Sequence, residues 1–290
     1  MASPEPIPFG VRADAIGGPE PAFASLLEKL RYEEICSVRR WLPQNGQVIE
    51  IGGGDGFQAR VLASWHCRVS SLDVPDRPRS AEPHYPVQDY DGFRLPFEDG
   101  TFDVAFSSNV LEHVSHLPDL ISETGRVLKA EGLAIHVVPT PWWRLWTSLV
   151  RPVAVLRTAP SMRGVPPAHA SDGITDRPAG RRALARAIHL LAGAPHGEYP
   201  NALSELYYYS ASRWLRVFRD SGFEPVSVST SGIFYTGYSL WPTLSARWRR
   251  LLARAFGSAT YVFVLRPVAR SSMSRVDGTS DARQKRVTAS

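Results

Sequence analysis

Four glycines stand within five positions at the end of an apolar strand, in the stretch VIEIGGGDGFQ (residues 48–58). A turn with so few side chains lets a ligand come close to the backbone, and a helical pattern follows it. The dinucleotide motif GxGxxG needs glycine where this chain has Phe57, and a phosphate-binding P-loop needs a Gly-Lys-Ser/Thr ending that this stretch lacks. The turn alone therefore leaves two interpretations open, a nucleotide-binding loop and a plain tight turn.

Three carboxylates lie at the ends of successive strands or in the loops after them. Glu50 precedes the glycines, where it would repel a pyrophosphate but attract a cationic ligand. Asp73 ends the next strand, about 20 residues after the first glycine, at the spacing from which a carboxylate binds ribose hydroxyls. Asp91 follows in a loop and could accept a hydrogen bond from a purine amine. Each could also be a solvated loop residue, but together they fit an adenosine that carries an amino acid.

Several motifs occur in an order that resembles the class I S-adenosylmethionine-dependent methyltransferases, especially their ubiquinone-biosynthesis-type and related small-molecule group. The stretches are VIEIGGGDG, LDV, YDGFRLPFEDGTFDVAFSSNVLEHV and LPDLISETGRVLKAEGLAIHVVP. They cover roughly residues 45 to 140. The resemblance implies S-adenosylmethionine as the cofactor.

The resemblance also implies which residues contact each part of that cofactor. The implied contacts are Glu50, Gly52, Gly53, Gly54 and Gly56 for the methionine part, Asp73 with Val74 for the ribose, Asp91 and Gly92 for the adenine, and Ser108 and Asn109 as lining residues.

The alternation of strands and helices predicts βαβ units and hence a parallel sheet. Predicted strands cover 47–51, 67–74, 101–108, 132–139, 224–230 and 260–265, and predicted helices cover 21–42, 57–65, 118–129, 178–191, 211–222 and 242–256. The resemblance implies a Rossmann-like α/β fold with a mostly parallel seven-stranded sheet, an antiparallel last strand and helices on both faces.

The alternation stops after Pro139, which predicts an inserted lid in an otherwise single α/β domain. The predicted organisation is a mobile N-terminal arm (1–18), a cofactor-binding core (19–139), an inserted lid or substrate region (140–205), the C-terminal part of the core (206–270) and a disordered tail (271–290).

Methyl transfer to a hydroxyl or carbon nucleophile needs a base in addition to alignment of the reactants. His113, just past the predicted strand 101–108, and His196, near the end of the lid, are the candidate bases, although either could be structural. His136 lies within a predicted strand and is expected to be a hydrogen-bonded core residue. The candidate substrate contacts are Trp142, Trp143, Glu198 and Tyr207, which could instead be core or loop-capping residues. We predict no metal site, because the spacing of His169, His196 and Glu198 matches no ligand pattern.

Composition narrows the class of protein further. The net charge of +5 is compatible with an anionic partner, but no lysine-rich run with interleaved aromatics predicts nucleic-acid binding. No apolar run is long enough to span a membrane, and the N-terminus lacks a signal-peptide pattern. The two cysteines form no CxxC pair, which favours reduced thiols in a cytoplasmic protein.

The sequence therefore predicts a cytoplasmic methyltransferase that acts on a small-molecule or lipid-linked acceptor. It would make at most peripheral contact with a membrane, where the tryptophans after Pro139 and the arginine-rich helix 242–256 could contribute. A methyltransferase-like domain that binds a cofactor or a partner without catalysis is the main alternative. A nicotinamide-dependent dehydrogenase is disfavoured by Phe57 and Glu50.

Overall fold

The computed structural model describes residues 25–75, 82–158, 196, 202–238 and 241–268. The predicted arm and tail, the predicted helix 178–191, and the residues His169 and Glu198 lie outside these ranges. The limits of the predicted lid therefore remain a prediction, because only its two ends and His196 are described.

Seven strands and seven helices are present in the described residues. The strands are β1 (Gln47–Ile51), β2 (Arg68–Asp73), β3 (Val87–Asp89), β4 (Phe102–Ser108), β5 (Leu128–Pro139), β6 (Phe223–Thr230) and β7 (Thr260–Pro267). The helices are α1 (Leu26–Cys36), α2 (Phe57–Ser64), α3 (Leu117–Val127), α4 (Pro141–Thr158), α5 (Ala202–Tyr208), α6 (Ala211–Asp220) and α7 (Ala246–Phe256), and short 3-10 turns cover Arg39–Trp41 and Leu111–His113.

The seven strands form one sheet in the order β3-β2-β1-β4-β5-β7-β6. Strands β1 to β5 pair in parallel, whereas β7 runs antiparallel to both β5 and β6. This topology confirms the predicted Rossmann-like α/β fold. It also brings the carboxyl ends of β1, β2, β4 and β5 to the same edge, which is where ligands bind in open α/β sheets.

Both faces of the sheet are covered by apolar layers. On one face, α3 and α6 supply Leu120, Ile121, Trp214 and Phe218; on the other, α1 and α2 supply Ile35, Val61 and Leu62, and Val38 packs beside them from the turn after α1. Four of the five β1 residues are buried because the strand lies between these layers, and Glu50 is the polar residue among the four. A carboxylate held in such a strand needs a specific reason to be there.

The structure corrects three predicted elements. The chain does not lose regular structure after Pro139: α4 begins at Pro141 and continues past Pro152, because Trp143, Arg144 and Thr147 on its inner face are buried against the core. Strand β5 begins at Leu128, which pairs with Phe102, so the helix before it ends sooner than predicted.

Strand β3 and helix α5 were not predicted, since both are short.

The first turns of α4 are fastened to the C-terminal part of the chain. The Thr140 hydroxyl donates to the Ser258 carbonyl at 2.6 Å, and the Gly237 N–H donates to the Thr147 hydroxyl at 2.8 Å. This start of the predicted lid is therefore packed on the core.

Candidate active site

The glycine turn after β1 is shaped by its neighbours on three sides. A Cβ at Gly52 would come 2.3 Å from a Val110 methyl, one at Gly53 would come 2.0 Å from the Ser71 hydroxyl, and one at Gly56 would meet the Tyr85 backbone at 2.5 Å. Gly54 is different, because a Cβ there would meet nothing within 4 Å although its φ is +59°. The turn is therefore packed below and open at Gly54, as a ligand cradle requires.

Glu50 lies beneath this turn and is almost fully buried. The Ser71 hydroxyl donates a hydrogen bond of 2.5 Å to its carboxylate from the paired position on β2. Burial raises the pKa of Glu50 to about 8 against the opposing effect of this hydrogen bond, and the charges of Asp73 and Asp55 raise the pKa further. In the absence of a ligand the side chain is thus mostly a neutral acid at pH 7, and a cation beside it would favour ionisation.

Asp73, at the end of β2, reaches over the glycine turn. One of its carboxylate oxygens accepts from the Gly54 N–H at 2.8 Å, and the other accepts from the Val74 N–H at 2.8 Å. The carboxylate is buried at the sheet edge, directly beside the open position at Gly54. The contact of Asp73 and Val74 with a cofactor stays a prediction.

Asp91, which is exposed, and Gly92, which is buried, form a turn after β3. Asp91 Oδ1 accepts from the N–H groups of Phe93 and Arg94, each at 2.8 Å, and these bonds lower the pKa of the Asp91 carboxyl. His116 fixes the turn from the other side, because its Nε2 bonds the Gly92 carbonyl at 2.6 Å and its ring stacks on Phe93. The turn is ordered by its own bonds, and its contact with adenine stays a prediction.

A buried carboxylate that the sequence analysis did not single out, Glu34 on α1, joins the end of β4 to the rest of this edge. Ser108 and Asn109, both predicted to line the cofactor, donate to its Oε2 at 3.4 and 3.3 Å. Tyr235 and Thr260 donate to Oε1 at 2.5 and 3.3 Å.

Arg31, one helical turn before Glu34, supplies the compensating charge. Its guanidinium lies 2.7 Å from Glu34 Oε2. Burial opposes the charged form of Arg31, but Glu34 outweighs this and raises the pKa of the guanidinium. Burial, and then the charge of Glu34, raise the pKa of Tyr235 well above its usual value, so this hydroxyl stays protonated as a donor.

His113 and His196, which the sequence offered as alternative bases, are brought together. Their ring centroids are 4.9 Å apart, and Trp143 packs against His196 at 4.7 Å. His113 Nε2 lies 3.9 Å from the buried carboxylate of Glu112. His113 lies in the 3-10 turn that follows β4, so the two imidazoles meet beyond the end of this strand.

His196 is positioned through a buried ion pair between α4 and α5. Its backbone N–H donates to Glu205 Oε1 at 2.5 Å, and Glu205 Oε2 lies 2.7 Å from Arg144 Nε. The Tyr209 hydroxyl also donates to Glu205 Oε1, at 3.2 Å. Because Arg144 and Glu205 are both buried, breaking the pair would leave an uncompensated charge, which fixes this corner of the site.

Glu112, His113 and His196 could also hold a metal ion. One potential ligand atom from each lies within 4.8 Å of the other two, and imidazole with carboxylate is a donor set that transition metals accept. The prediction of no metal site rests on the spacing of His169, His196 and Glu198, a set that does not include Glu112 or His113.

The remaining predicted residues fall into two groups. Trp142 and Tyr207 are about half exposed, whereas Trp143 is buried and packs against His196; the contact of all three with a substrate stays a prediction. His136 is a core residue as predicted: its Nδ1 lies 2.8 Å from the Ser107 hydroxyl, its ring stacks on Phe218, and burial lowers its pKa to about 3.

Glu34 could have been found from its position in the sequence. It lies between Leu30 and Val38 on the apolar stripe of the first helix, where a charged residue is unexpected. Glu112 could have been found because it is next to His113 in the sequence. Nothing in the sequence around Tyr235 or Arg144 indicated that these residues belong to the site.

Comparison with known proteins identifies the domain. The family model described as "Methyltransferase domain" matches residues 49–136, less than half of the chain. An uncharacterized methyltransferase from Mycobacteroides abscessus is 35% identical over 97 residues, covering 30% of this chain and 38% of the relative. A malonyl-[acyl-carrier protein] O-methyltransferase from Serratia marcescens is 30% identical over 95 residues, covering 31% and 36%.

A solved S-adenosylmethionine-dependent methyltransferase from Thermotoga maritima aligns with a TM-score of 0.48 at 16% identity, over 83% of this chain and 92% of its own. The chain spans well under half the length of the curated relatives that it matches. The matched segment contains the glycine turn, Asp73 and the histidine that follows β4, on the sheet order described above. Residues 49–136 accordingly match the methyltransferase domain family, on the sheet topology that the resemblance implies.

Proposed function

We propose that this chain is an enzyme that transfers a methyl group from S-adenosylmethionine to a small-molecule or lipid-linked acceptor. The observation that carries the proposal is the meeting of His113 and His196, with ring centroids 4.9 Å apart, beyond the end of β4. The open cradle at Gly54 and the paired imidazoles lie along one sheet edge. A donor in the cradle and an acceptor at the histidines would therefore face each other.

The residues of the cradle fit the cofactor by their chemistry. Gly54 leaves open space for the methionine part, the Asp73 carboxylate can accept from ribose hydroxyls, and Glu50 can ionise beside the cationic ammonium group. The sulfonium supplies the electrophilic methyl group when bound. The chain must hold the acceptor in line with that methyl and exclude water.

The acceptor end is suited to taking up a proton. If the acceptor is a hydroxyl or carbon acid, His113 can receive its proton, and the carboxylate of Glu112 at 3.9 Å would stabilise the imidazolium. Among the described residues around the histidine pair, the carboxylates of Glu34, Glu112 and Glu205 outnumber the guanidinium groups of Arg31 and Arg144. This excess of negative charge favours a cation beside it, whether imidazolium or sulfonium.

The relatives support methyl transfer as the reaction but give less support for any one acceptor. The Serratia marcescens relative is named for O-methylation of an acyl group on a carrier protein. Trp143 beside the histidines supports an acceptor with an apolar part. The two free cysteines support a reducing compartment such as the cytoplasm.

The direct test incubates the purified chain with methyl-labelled S-adenosylmethionine and a panel of small hydroxylated, amino and lipid-linked acceptors. We expect label in at least one acceptor together with formation of S-adenosylhomocysteine. Tight cofactor binding without transfer to any acceptor class would favour the alternative, a non-catalytic cofactor-binding domain.

For the ribose contact, Asp73→Asn should weaken S-adenosylmethionine binding by about 1–3 kcal/mol, because buried hydroxyls lose a charged acceptor. Asp89→Asn is the matched control, since Asp89 is an exposed residue on β3 that lies opposite Asp73 on the neighbouring strand β2. Isothermal titration calorimetry measures both. Equal affinities of the two folded variants would remove Asp73 from the cofactor site.

For the methionine contact, Glu50→Gln should produce opposite changes in stability and affinity at pH 8. The pKa of Glu50 is raised in the folded chain, so its contribution to stability is present at low pH and is lost as the pH rises from about 4.5 toward about 8. Glutamine stays neutral, so the variant should melt a few degrees above the wild type at pH 8 but not at pH 5. In a chain of this size, a gain of about 1 kcal/mol in the free energy of unfolding raises the melting temperature by roughly 2–4 °C.

The same variant should bind S-adenosylmethionine more weakly, because the amide cannot ionise beside the ammonium. Differential scanning fluorimetry across pH, followed by calorimetry, gives both quantities. An unchanged affinity with the stability gain intact would make Glu50 a purely structural residue.

For the base, His113→Gln and His196→Gln separate the two candidates. Loss of the base should lower kcat by about 10²–10⁴-fold with unchanged affinity for S-adenosylhomocysteine. It should also abolish the fall in rate at low pH that protonation of the imidazole causes. A rate lost on chelation and restored by Zn²⁺ or Mn²⁺ would instead make the histidines metal ligands, and a loss of only a few-fold in both variants would mean that transfer runs by alignment alone.

A further inference from the structure

Helices α4 and α7 expose large apolar side chains that the proposed reaction does not use. The most exposed are Trp142 (51%), Leu149 (58%) and Val153 (48%) on α4, and Trp248 (58%), Leu251 (42%) and Phe256 (42%) on α7. On α4 they recur at helical intervals along one outer face. On α7, Trp248 and Leu251 share the outer face with Arg247 and Arg254. We call these eight residues the tryptophan–arginine surface.

The two helices are in direct contact where α4 begins and α7 ends. The Trp146 indole donates to the Phe256 carbonyl at 2.8 Å, and the two rings pack at 5.2 Å. Trp142 lies against the end of α7, because a Cβ at Gly257 would come 2.5 Å from its Cγ.

The charge of the surface has one sign. Neither α4 (PWWRLWTSLVRPVAVLRT) nor α7 (ARWRRLLARAF) contains an aspartate or a glutamate, and both contain several arginines. Some of these cations are used internally: Arg144 pairs with Glu205, Arg249 donates to the Phe234 and Trp241 carbonyls, and Arg250 pairs with Glu33. Arg247 and Arg254 remain on the exposed face beside Trp248 and Leu251.

We propose that the tryptophan–arginine surface binds the chain to an anionic lipid bilayer. Tryptophan prefers the interface between head groups and acyl chains, leucine and valine gain by burial just below it, and each arginine near an anionic surface contributes about 1 kcal/mol. No helix in the described residues is long and apolar enough to cross a membrane.

Two other occupants fit the surface less well. A nucleic acid would satisfy the arginines but would leave Leu149, Val153 and Leu251 without apolar partners. A second copy bound through the same face would place arginine against arginine across the symmetry axis. A bilayer of anionic lipid complements both the charge and the aliphatic side chains.

The surface adjoins the acceptor end of the candidate site. Trp142 and Trp143 are consecutive on α4; the first belongs to the surface, and the second packs against His196. Docking would bring the histidine pair close to the head groups, which suits an acceptor carried by a lipid. This last consequence rests on the proposed function, whereas membrane binding does not.

Vesicle flotation with the full chain tests the binding. We expect binding to vesicles of phosphatidylcholine with 30 mol% phosphatidylglycerol, weaker binding as salt rises, and little binding to phosphatidylcholine alone. Arg247→Gln with Arg254→Gln, and separately Trp248→Ser with Leu251→Ser, should each weaken binding at least 10-fold. Val226→Ser with Val228→Ser is the control, because these two β6 side chains are exposed to a similar extent but lie outside the surface.

Calorimetry with S-adenosylhomocysteine checks that every variant is folded. Binding that is absent, or equal in all variants, would overturn the proposal. Binding to RNA without binding to vesicles would assign the surface to a nucleic acid. A wild-type dimer that becomes a monomer in the variant Trp248→Ser with Leu251→Ser, with vesicle binding unchanged, would assign the surface to a second copy of the chain. Because flotation needs no turnover, its failure would leave the proposed reaction standing, and failure of methyl transfer would leave membrane binding standing.

Discussion

The buried carboxylate of Glu34 holds the functional edge of this protein together. It accepts hydrogen bonds from the end of β4, from the loop after β6 and from the start of β7, and it forms an ion pair within α1. An uncompensated charge in such a position would cost several kcal/mol, so Arg31 and the surrounding donors are needed wherever Glu34 is buried. The first described helix is thereby made part of the wall behind the cofactor-lining residues.

The two halves of the candidate site, for the cofactor and for the acceptor, are built on different types of secondary structure. The cofactor half stands on the parallel strands, where β1 and β2 bring Glu50, Ser71 and Asp73 to fixed positions around the glycine turn. The proposed acceptor half is built from the 3-10 turn that contains His113 and from His196, which the Arg144–Glu205 ion pair holds in place. Rigid strands suit a cofactor of constant shape, whereas loops and helix ends can vary with the acceptor.

The features of the fold and of the candidate site that could be predicted from the sequence are those that follow from periodicity and local motifs. The strand–helix alternation predicted the parallel sheet, and the glycines with Asp73 predicted where its ligand edge lies, because both depend on residues close together in the chain. The meeting of His113 with His196 could not be predicted, since it depends on where α5 packs. Helix α4 was missed because Pro152 and the arginines interrupt its apolar pattern, although its inner face is buried through Trp143 and Thr147. Glu34 shows the same limit: a charge on an apolar stripe signals a buried network without naming the partners 70 or more residues away, and Ser108, Tyr235 and Thr260 are such partners.

The central claim is that the cradle around Gly54 binds the adenosine and methionine parts of S-adenosylmethionine at one site per chain. Isothermal titration calorimetry of the wild-type chain with S-adenosylhomocysteine and, separately, with NAD⁺ tests it most directly. The account predicts saturable binding of S-adenosylhomocysteine at a stoichiometry of one and no measurable binding of NAD⁺. Binding of NAD⁺ in place of S-adenosylhomocysteine, or of neither ligand by the folded chain, would contradict it.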